Sequence, residues 1–408
     1  MSEPIHEDER FMAAALRIAR HNLGLTSTNP SVGCVIIKDG AIVGRAATAP
    51  GGRPHAETQA LAEAGERARG ATAYVTLEPC SHHGKTPPCA DALVAAGVAR
   101  VVVCILDPDE RVAGRGVVRL RETGIDVDLG ILGEDGERVL EGYLMRQRNK
   151  RPHVILKLAV SSDGMIGKEG QGQIRITGAI SRAQVQVLRA ETDAILVGVG
   201  TASADDPELT VRLAGLEERS PIRIVLDRRL ELPIESKLVR TARDVPLIVV
   251  AGGADIPSPR PRGEGARRAD EGPGGSDSPL SSGLTRGPAL SPHAGRGGDY
   301  ADRRAALEAA GVEVLCTDTI SDLLTALASR GISSLLVEGG ARAARDFLDA
   351  DLVDRILLFT GPAAIGESGI RSPFERTSVP PRFTLRRIAR YGDDIFEEYE
   401  RDTGCSQA

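Results

Sequence analysis

The sequence predicts a two-domain α/β protein, on three observations. The chain has 408 residues, enough for two cores of ordinary size. Short apolar runs of strand character alternate with helical segments in two separate stretches. Between them lies the charged run Arg146-Gln147-Arg148-Asn149-Lys150-Arg151-Pro152, which reads as a junction. The expected domains are residues 1–147 and 152–403.

In the first stretch, residues 8–22 place Phe11, Met12, Ala15, Leu16 and Ala19 on one helical face. Val32 to Ile37 reads as a strand, Lys38-Asp39-Gly40 as a tight turn, and Ala41 to Arg45 as its antiparallel partner. A helix is expected to begin near His55, and a strand runs over Ala73 to Leu77. A second helix starts near Pro88, because proline suits a first helical turn, and Gly97 follows its end. Val101 to Ile105 reads as a buried strand.

The second stretch offers strands at Val154 to Val160, Ala194 to Val199, Ile222 to Leu226 and Leu247 to Val250. Further strands read at Val312 to Leu315, Ser334 to Val337, Ile356 to Phe359 and Ile395 to Tyr399. Helical segments fall at 181–190, 301–310, 320–330 and 341–349. Residues 255–300 fit neither pattern: rich in Pro, Gly, Ser and Arg, they hold too little apolar surface to offset their ordering entropy. They read as a disordered insertion in a surface loop, where added length costs little.

Composition excludes several classes. A net charge of −6 with 3% aromatics argues against a basic, aromatic groove for nucleic acid. No apolar run approaches the roughly 20 residues of a membrane helix, and the polar, acidic start is unlike a signal peptide. Six cysteines in so long a chain do not suggest a disulfide scaffold, so the cytoplasm is the expected compartment.

The chemistry concentrates in Pro54-His55-Ala56-Glu57, Glu78-Pro79-Cys80 and Cys89. One imidazole and two thiolates can hold Zn²⁺ with a fourth position open to water, and a carboxylate that is not a ligand can move protons. Zinc-dependent base deaminases need that set. His55 and Glu57 lie two apart, so both reach one site if they open a helix. The general deaminase pattern is Pro-Cys-x-x-Cys, whereas eight residues separate Cys80 from Cys89, and three on from Cys80 stands His83 as a competing ligand. Cys89 is preferred because it follows Pro87-Pro88 at a helix start, where the dipole favours a thiolate.

A family resemblance rests on longer segments. Asn29-Pro30-Ser31-Val32-Gly33-Cys34-Val35, the His-Ala-Glu segment and Thr76-Leu77-Glu78-Pro79-Cys80-Ser81-His82-His83-Gly84-Lys85-Thr86-Pro87-Pro88-Cys89 resemble the bifunctional riboflavin-biosynthesis deaminase–reductases. Asp107-Pro108 and Val112-Ala113-Gly114-Arg115-Gly116 are similar too. The resemblance implies an N-terminal cytidine-deaminase-like three-layer α/β/α domain and a C-terminal dihydrofolate-reductase-like α/β domain. It implies zinc on His55, Cys80 and Cys89, with Glu57 as the proton carrier. The implied substrate is a small phosphorylated pyrimidine, a diaminopyrimidinone with a ribosylamino 5′-phosphate, which loses its 2-amino group. Asn29 would contact the pyrimidine, and Lys85 and Asp107 the ribose phosphate. Relatives carry Asn after Asp-Pro where this chain has Asp109.

In the second half, the glycine-rich turns Gly198-Val199-Gly200-Thr201 and Glu338-Gly339-Gly340-Ala341 follow strands, a setting that brings backbone N–H groups to phosphates. Lys157 to Gly164, Gly198 to Pro207 with Leu209-Thr210-Val211-Arg212, and Val337-Glu338-Gly339-Gly340 together resemble the reductase half of the same family. That resemblance implies NADPH as cofactor and reduction of the ribosyl group to ribityl. Lys157, Asp205 and Glu338 would serve the reacting sugar, and Arg189 and Arg212 the substrate phosphate. Gln173 and Leu209 would line the substrate. Val160, Arg175, Thr201, Asp205, Arg228 and the run Gly340, Ala341, Arg342, Ala343, Ala344 would hold the cofactor. Arg175 stands where relatives often carry Trp, so stacking or pairing by a guanidinium replaces an aromatic wall. A homo-oligomer is expected, with no nucleic-acid or membrane partner. Two rivals stand beside this reading: a nucleic-acid base deaminase with an accessory domain, and a non-catalytic zinc and nucleotide sensor.

Overall fold

The computed structural model describes residues 3–84, 86–172, 174–252, 295–376 and 379–402. Lys85, Gln173 and most of the 255–300 insertion lie outside the described residues.

Alternation along a strand sorts the N-terminal layers. On β1 (Gly33–Lys38), Val35 and Ile37 face the opening helix α1 (Glu3–Ala19), whose Phe11, Met12, Ala15, Leu16 and Ala19 are all buried there. Cys34 and Ile36 face the other way, toward α2 (Ala56–Ala64), α3 (Cys89–Ala96) and α4 (Arg115–Glu122). With β2 (Ala41–Ala47), β3 (Thr72–Val75), β4 (Arg100–Val103) and β5 (Asp126–Leu129), the five-stranded sheet runs β2-β1-β3-β4-β5. Helices on both faces make the expected three-layer α/β/α sandwich. Gly33 sets the depth of α1: a Cβ there would strike the Ala15 carbonyl.

After α5 (Gly133–Val139), helix α6 (Glu141–Asn149) occupies much of the charged junction. The run is charged yet ordered, because its side chains are used: Arg146 donates to Thr28 O and, at 2.9 Å, to Ser333 Oγ. The crossing between the sheets narrows to Lys150 to Pro152.

The C-terminal sheet is built from β6 (His153–Val160), β8 (Ala194–Gly198), β9 (Ile222–Leu226), β10 (Leu247–Ala251), β11 (Glu313–Cys316), β12 (Ser334–Glu338), β13 (Arg355–Thr360), β15 (Phe383–Tyr391) and β16 (Asp394–Arg401). A separate ribbon pairs β7 (Met165–Lys168) with β14 (Gly369–Arg371). The nine strands run β11-β10-β9-β8-β12-β6-β13-β16-β15, parallel up to β13 and closed by an antiparallel hairpin. Helices α7 (Ala179–Glu191), α8 (Val199–Asp205), α9 (Lys237–Arg240) and α10 (Gly295–Ala309) supply Val185, Ala202, Leu238 and Leu307 to one face. The other face is covered by α11 (Ile320–Ser329) and α12 (Ala341–Asp349) through Leu323, Leu327 and Phe347.

Two differences from the sequence reading have physical causes. Helix α10 begins at Gly295, inside the range expected to be insertion, because the glycines there hide a helical start. Strand β15 was not anticipated: it is the sheet edge, and Thr384 to Ile388 are all exposed, so no apolar alternation marks it.

Candidate active sites

Two helix starts converge in the N-terminal sandwich. His55 is the N-cap of α2 in extended conformation, and Glu57 sits in that helix's first turn, 4% exposed. Cys89 opens α3 behind Pro88, and Cys80 lies on the loop that leaves β3. His55 Nδ1 is 3.7 Å from Cys80 Sγ and 3.3 Å from Cys89 Sγ. A tetrahedral zinc with ordinary bond lengths separates nitrogen and sulfur ligands by about 3.6 Å, so the set fits the ion. Among the described residues this is the one group with metal-ligand geometry, and exposed His83 is not part of it.

The electrostatics suit the same reading. The Cys89 thiol and the His55 ring, with the Cys89 N–H at 3.3 Å, hold Cys80 down to about 4, a thiolate at neutral pH. Hydrogen bonding to Cys80 and then burial push Cys89 the other way, so the pair shares one proton without a cation. Burial, then the Cys80 charge, pushes Glu57 up to about 7, where a carboxyl can both take and give a proton.

Around this centre, Asn29 Nδ2 donates to Gly52 O at 2.7 Å, tying it to the segment that carries His55. Asp107 is 7% exposed, and burial pushes it up to about 6. Its Oδ1 accepts from the Tyr143 hydroxyl at 2.8 Å and from the Asp109 N–H at 2.9 Å. Asp109 itself pairs with Arg111 at 2.5 Å, which holds it down to about 2, so its charge is neutralised within the loop.

Sequence reasoning gave no role to two residues here. The Glu78 carboxylate accepts from the backbone N–H groups of Asp107, Gly114, Gly116 and Val117 at 2.9 to 3.3 Å, pinning both ends of the loop that bears Asp107. Its place before Pro79-Cys80 was a usable signal. Tyr143 left none, since its partner is remote in sequence.

The C-terminal sheet carries a cleft of about 1880 Å³ at the carboxyl ends of its parallel strands, where open α/β sheets place ligands. Lys157, Arg175, Arg189, Thr201, Asp205 and Leu209 line it. So do Arg212, Arg228, Glu338, Gly340, Ala341, Arg342 and Ala343. Val160 and Ala344 are not among the lining residues, and their side chains pack in the core. Lys157 and Glu338 are register partners on adjacent strands. Arg189 meets both Glu338 oxygens, at 2.7 and 3.0 Å, and donates to Thr210 O at 3.2 Å. Its guanidinium is thus bonded within the protein, not held free for a phosphate. Arg212 is exposed and pairs with Glu208 at 3.3 Å. Burial lowers Lys157. Gly339 and Gly340 both have positive φ, and a Cβ on Gly340 would crowd Thr201 Oγ1, so this turn requires glycine.

Comparison with known proteins bears on both halves. Residues 5–105 match the family model described as the cytidine and deoxycytidylate deaminase zinc-binding region. Residues 152–256 and 300–396 match the RibD C-terminal domain. The riboflavin biosynthesis protein RibD of Escherichia coli (strain K12) is 37% identical over 413 residues, covering 95% of this chain and 98% of that protein. Its counterpart from Aquifex aeolicus (strain VF5) is 35% identical over 402 residues, covering 97% and 98%. Among solved structures, Acinetobacter baumannii RibD (form 1) superposes with a TM-score of 0.78 at 32% identity, covering 98% of this chain and 100% of that one. The diaminohydroxyphosphoribosylaminopyrimidine deaminase/5-amino-6-(5-phosphoribosylamino)uracil reductase of Thermotoga maritima gives 0.78 at 30% identity with the same coverage.

Proposed function

The chain belongs to the bifunctional riboflavin-biosynthesis deaminase–reductase family, and from that premise we propose how its residues divide the two reactions. The deaminase domain is taken as residues 1–147 and the reductase domain as 152–403. The gap in the family match between 256 and 300 supports an insertion there.

The first reaction is hydrolytic deamination of 2,5-diamino-6-(5-phosphoribosylamino)pyrimidin-4-one: water adds at the carbon bearing the 2-amino group, and ammonia leaves. His55, Cys80 and Cys89 would hold zinc, which would supply the Lewis acidity that makes water nucleophilic near neutral pH. Glu57 takes the proton from the attacking water and passes it to the ring nitrogen and the departing amine. Asn29 holds the pyrimidine, and Asp107 with Lys85 holds the ribose phosphate.

The second reaction reduces the ribosyl group of the resulting uracil to ribityl. NADPH bound in the large cleft would supply the hydride for C1′ of the opened sugar. Lys157, Asp205 and Glu338 would serve the reacting sugar, and Gln173, Leu209, Arg189 and Arg212 would contact the substrate. Thr201, the Gly340 turn and Arg175 would hold the cofactor. Arg228 and Arg342, which share the neighbourhood of Asp346, offer cations for its phosphates. Thiolate ligands and the free Cys34 and Cys104 suit a reducing cytoplasm. The exposed edge strand β15, with Leu385 and Ile388 at its surface, supports a homo-oligomer.

The observation that carries the reading is the His55–Cys80–Cys89 cluster with buried Glu57 beside it. Glu57→Gln should cut ammonia release by about 10²–10⁴ while zinc content stays full. NADPH oxidation should follow only after deamination. Ammonia release undiminished in the glutamine variant would overturn the assignment, and turnover of oligonucleotides would favour a nucleic-acid deaminase.

A further inference from the structure

We propose that Tyr143 is a positioning residue for deamination: its hydroxyl sets the Asp107 carboxylate, from a helix docked on the reductase half. The proposal rests on the reading of Asp107 as a substrate contact.

Tyr143 lies on α6, 7% exposed, in the core beneath the first sheet. A buried phenol needs a partner, and at 2.8 Å Asp107 Oδ1 is that partner. The same oxygen takes the Asp109 N–H, so both bonds fall on Oδ1 and fix the rotation of the carboxylate. Among the described residues no donor meets Oδ2, which leaves it for a ligand hydroxyl or amine. Glu78 fixes the loop backbone independently, through its four N–H bonds. The backbone is thus set by one residue and the side chain by another.

Helix α6 is also one of the elements bound to the reductase half. The Arg146 guanidinium lies 5.7 Å from the centre of the Tyr143 ring and donates to Ser333 Oγ, beside the start of β12. One turn earlier, Glu141 accepts from Arg355 of β13 at 2.5 Å. The Asp107 carboxylate is therefore held by a side chain whose helix is also bonded to the other half.

The charged and titratable groups facing Asp107 are Tyr143 from α6, Asp109 from its own loop with its partner Arg111, and Glu78 from the loop after β3. Burial disfavours the ionised carboxylate, the Asp109 N–H and then the Tyr143 hydroxyl favour it, and the charges of Asp109 and Glu78 oppose it. Loss of the hydroxyl alone must move Asp107 to a higher pKa.

The test uses the full-length, zinc-loaded enzyme. Tyr143→Phe keeps the ring under Arg146 and deletes one oxygen. Deamination KM should rise about tenfold, the loss of one hydrogen bond to a charged group, with kcat within about twofold. The acidic limb of the kcat/KM profile should move to higher pH, and zinc content and reduction of the deaminated substrate should not change. In an Asp107→Ala background the same substitution should do nothing further to KM. An unchanged KM and pH profile in Tyr143→Phe, or additive losses in the double variant, overturns the proposal. Should Asp107→Ala itself leave deamination KM unaltered, the reading of Asp107 falls first and the proposal with it.

Discussion

Arg189 and Glu338 show how single side chains govern the reductase cleft. Both are about nine-tenths buried, and the guanidinium meets the carboxylate with two parallel bonds. Burial opposes ionisation of Glu338, but Arg189, and then Lys157, outweigh it and keep its pKa low. Removing one partner strands the other charge. Arg189→Met should therefore destabilise the protein by about 3–5 kcal/mol, read by denaturant unfolding. A variant as stable as the parent would show that water reaches Glu338 freely.

Elements depend on backbone approach as much as on side chains. Helix α1 lies so close to β1 that Gly33 abuts the Ala15 carbonyl, a backbone atom that cannot swing away. Gly33→Ala should cost about 1–3 kcal/mol or more, as overpacking does, and lower the melting temperature. Gly40, in the β1–β2 turn, makes a useful contrast. It has φ +74 with open space around its missing Cβ, so alanine there should cost only about 1 kcal/mol of left-handed strain. Equal losses at the two positions would rule out the collision. Helices α1, α11 and α12 were legible from periodicity, because each buries a single stripe. The edge strand β15 was not, since a strand with a wet face and no burial carries no period to read.

At the scale of the whole molecule, ion pairs knit the strand ends of the second sheet to its N-terminal approach. Asp354 accepts from both Arg151 terminal nitrogens at 2.6 and 2.7 Å and from the Val154 N–H at 2.9 Å. Burial works against its ionisation, yet these bonds leave its folded pKa below the ordinary value. Its stabilisation is accordingly full above about pH 4, the unfolded value, and disappears as pH falls through the lower folded one. Urea unfolding followed across acidic pH should show stability falling below that point, with a shallower fall in Asp354→Asn. The sequence by itself singled out the His55, Cys80 and Cys89 cluster and the carboxylate Glu57 beside it, because these scarce residue types stand at two helix starts. It also determined the α/β class and the family, through motifs that are contiguous in the chain. Only the tertiary structure decided that Glu78 anchors a loop some thirty residues on, that Arg189 serves Glu338, and that Tyr143 reaches Asp107. Each of these is a hydrogen bond between remote positions, and its existence depends on where two separately folded segments come to rest.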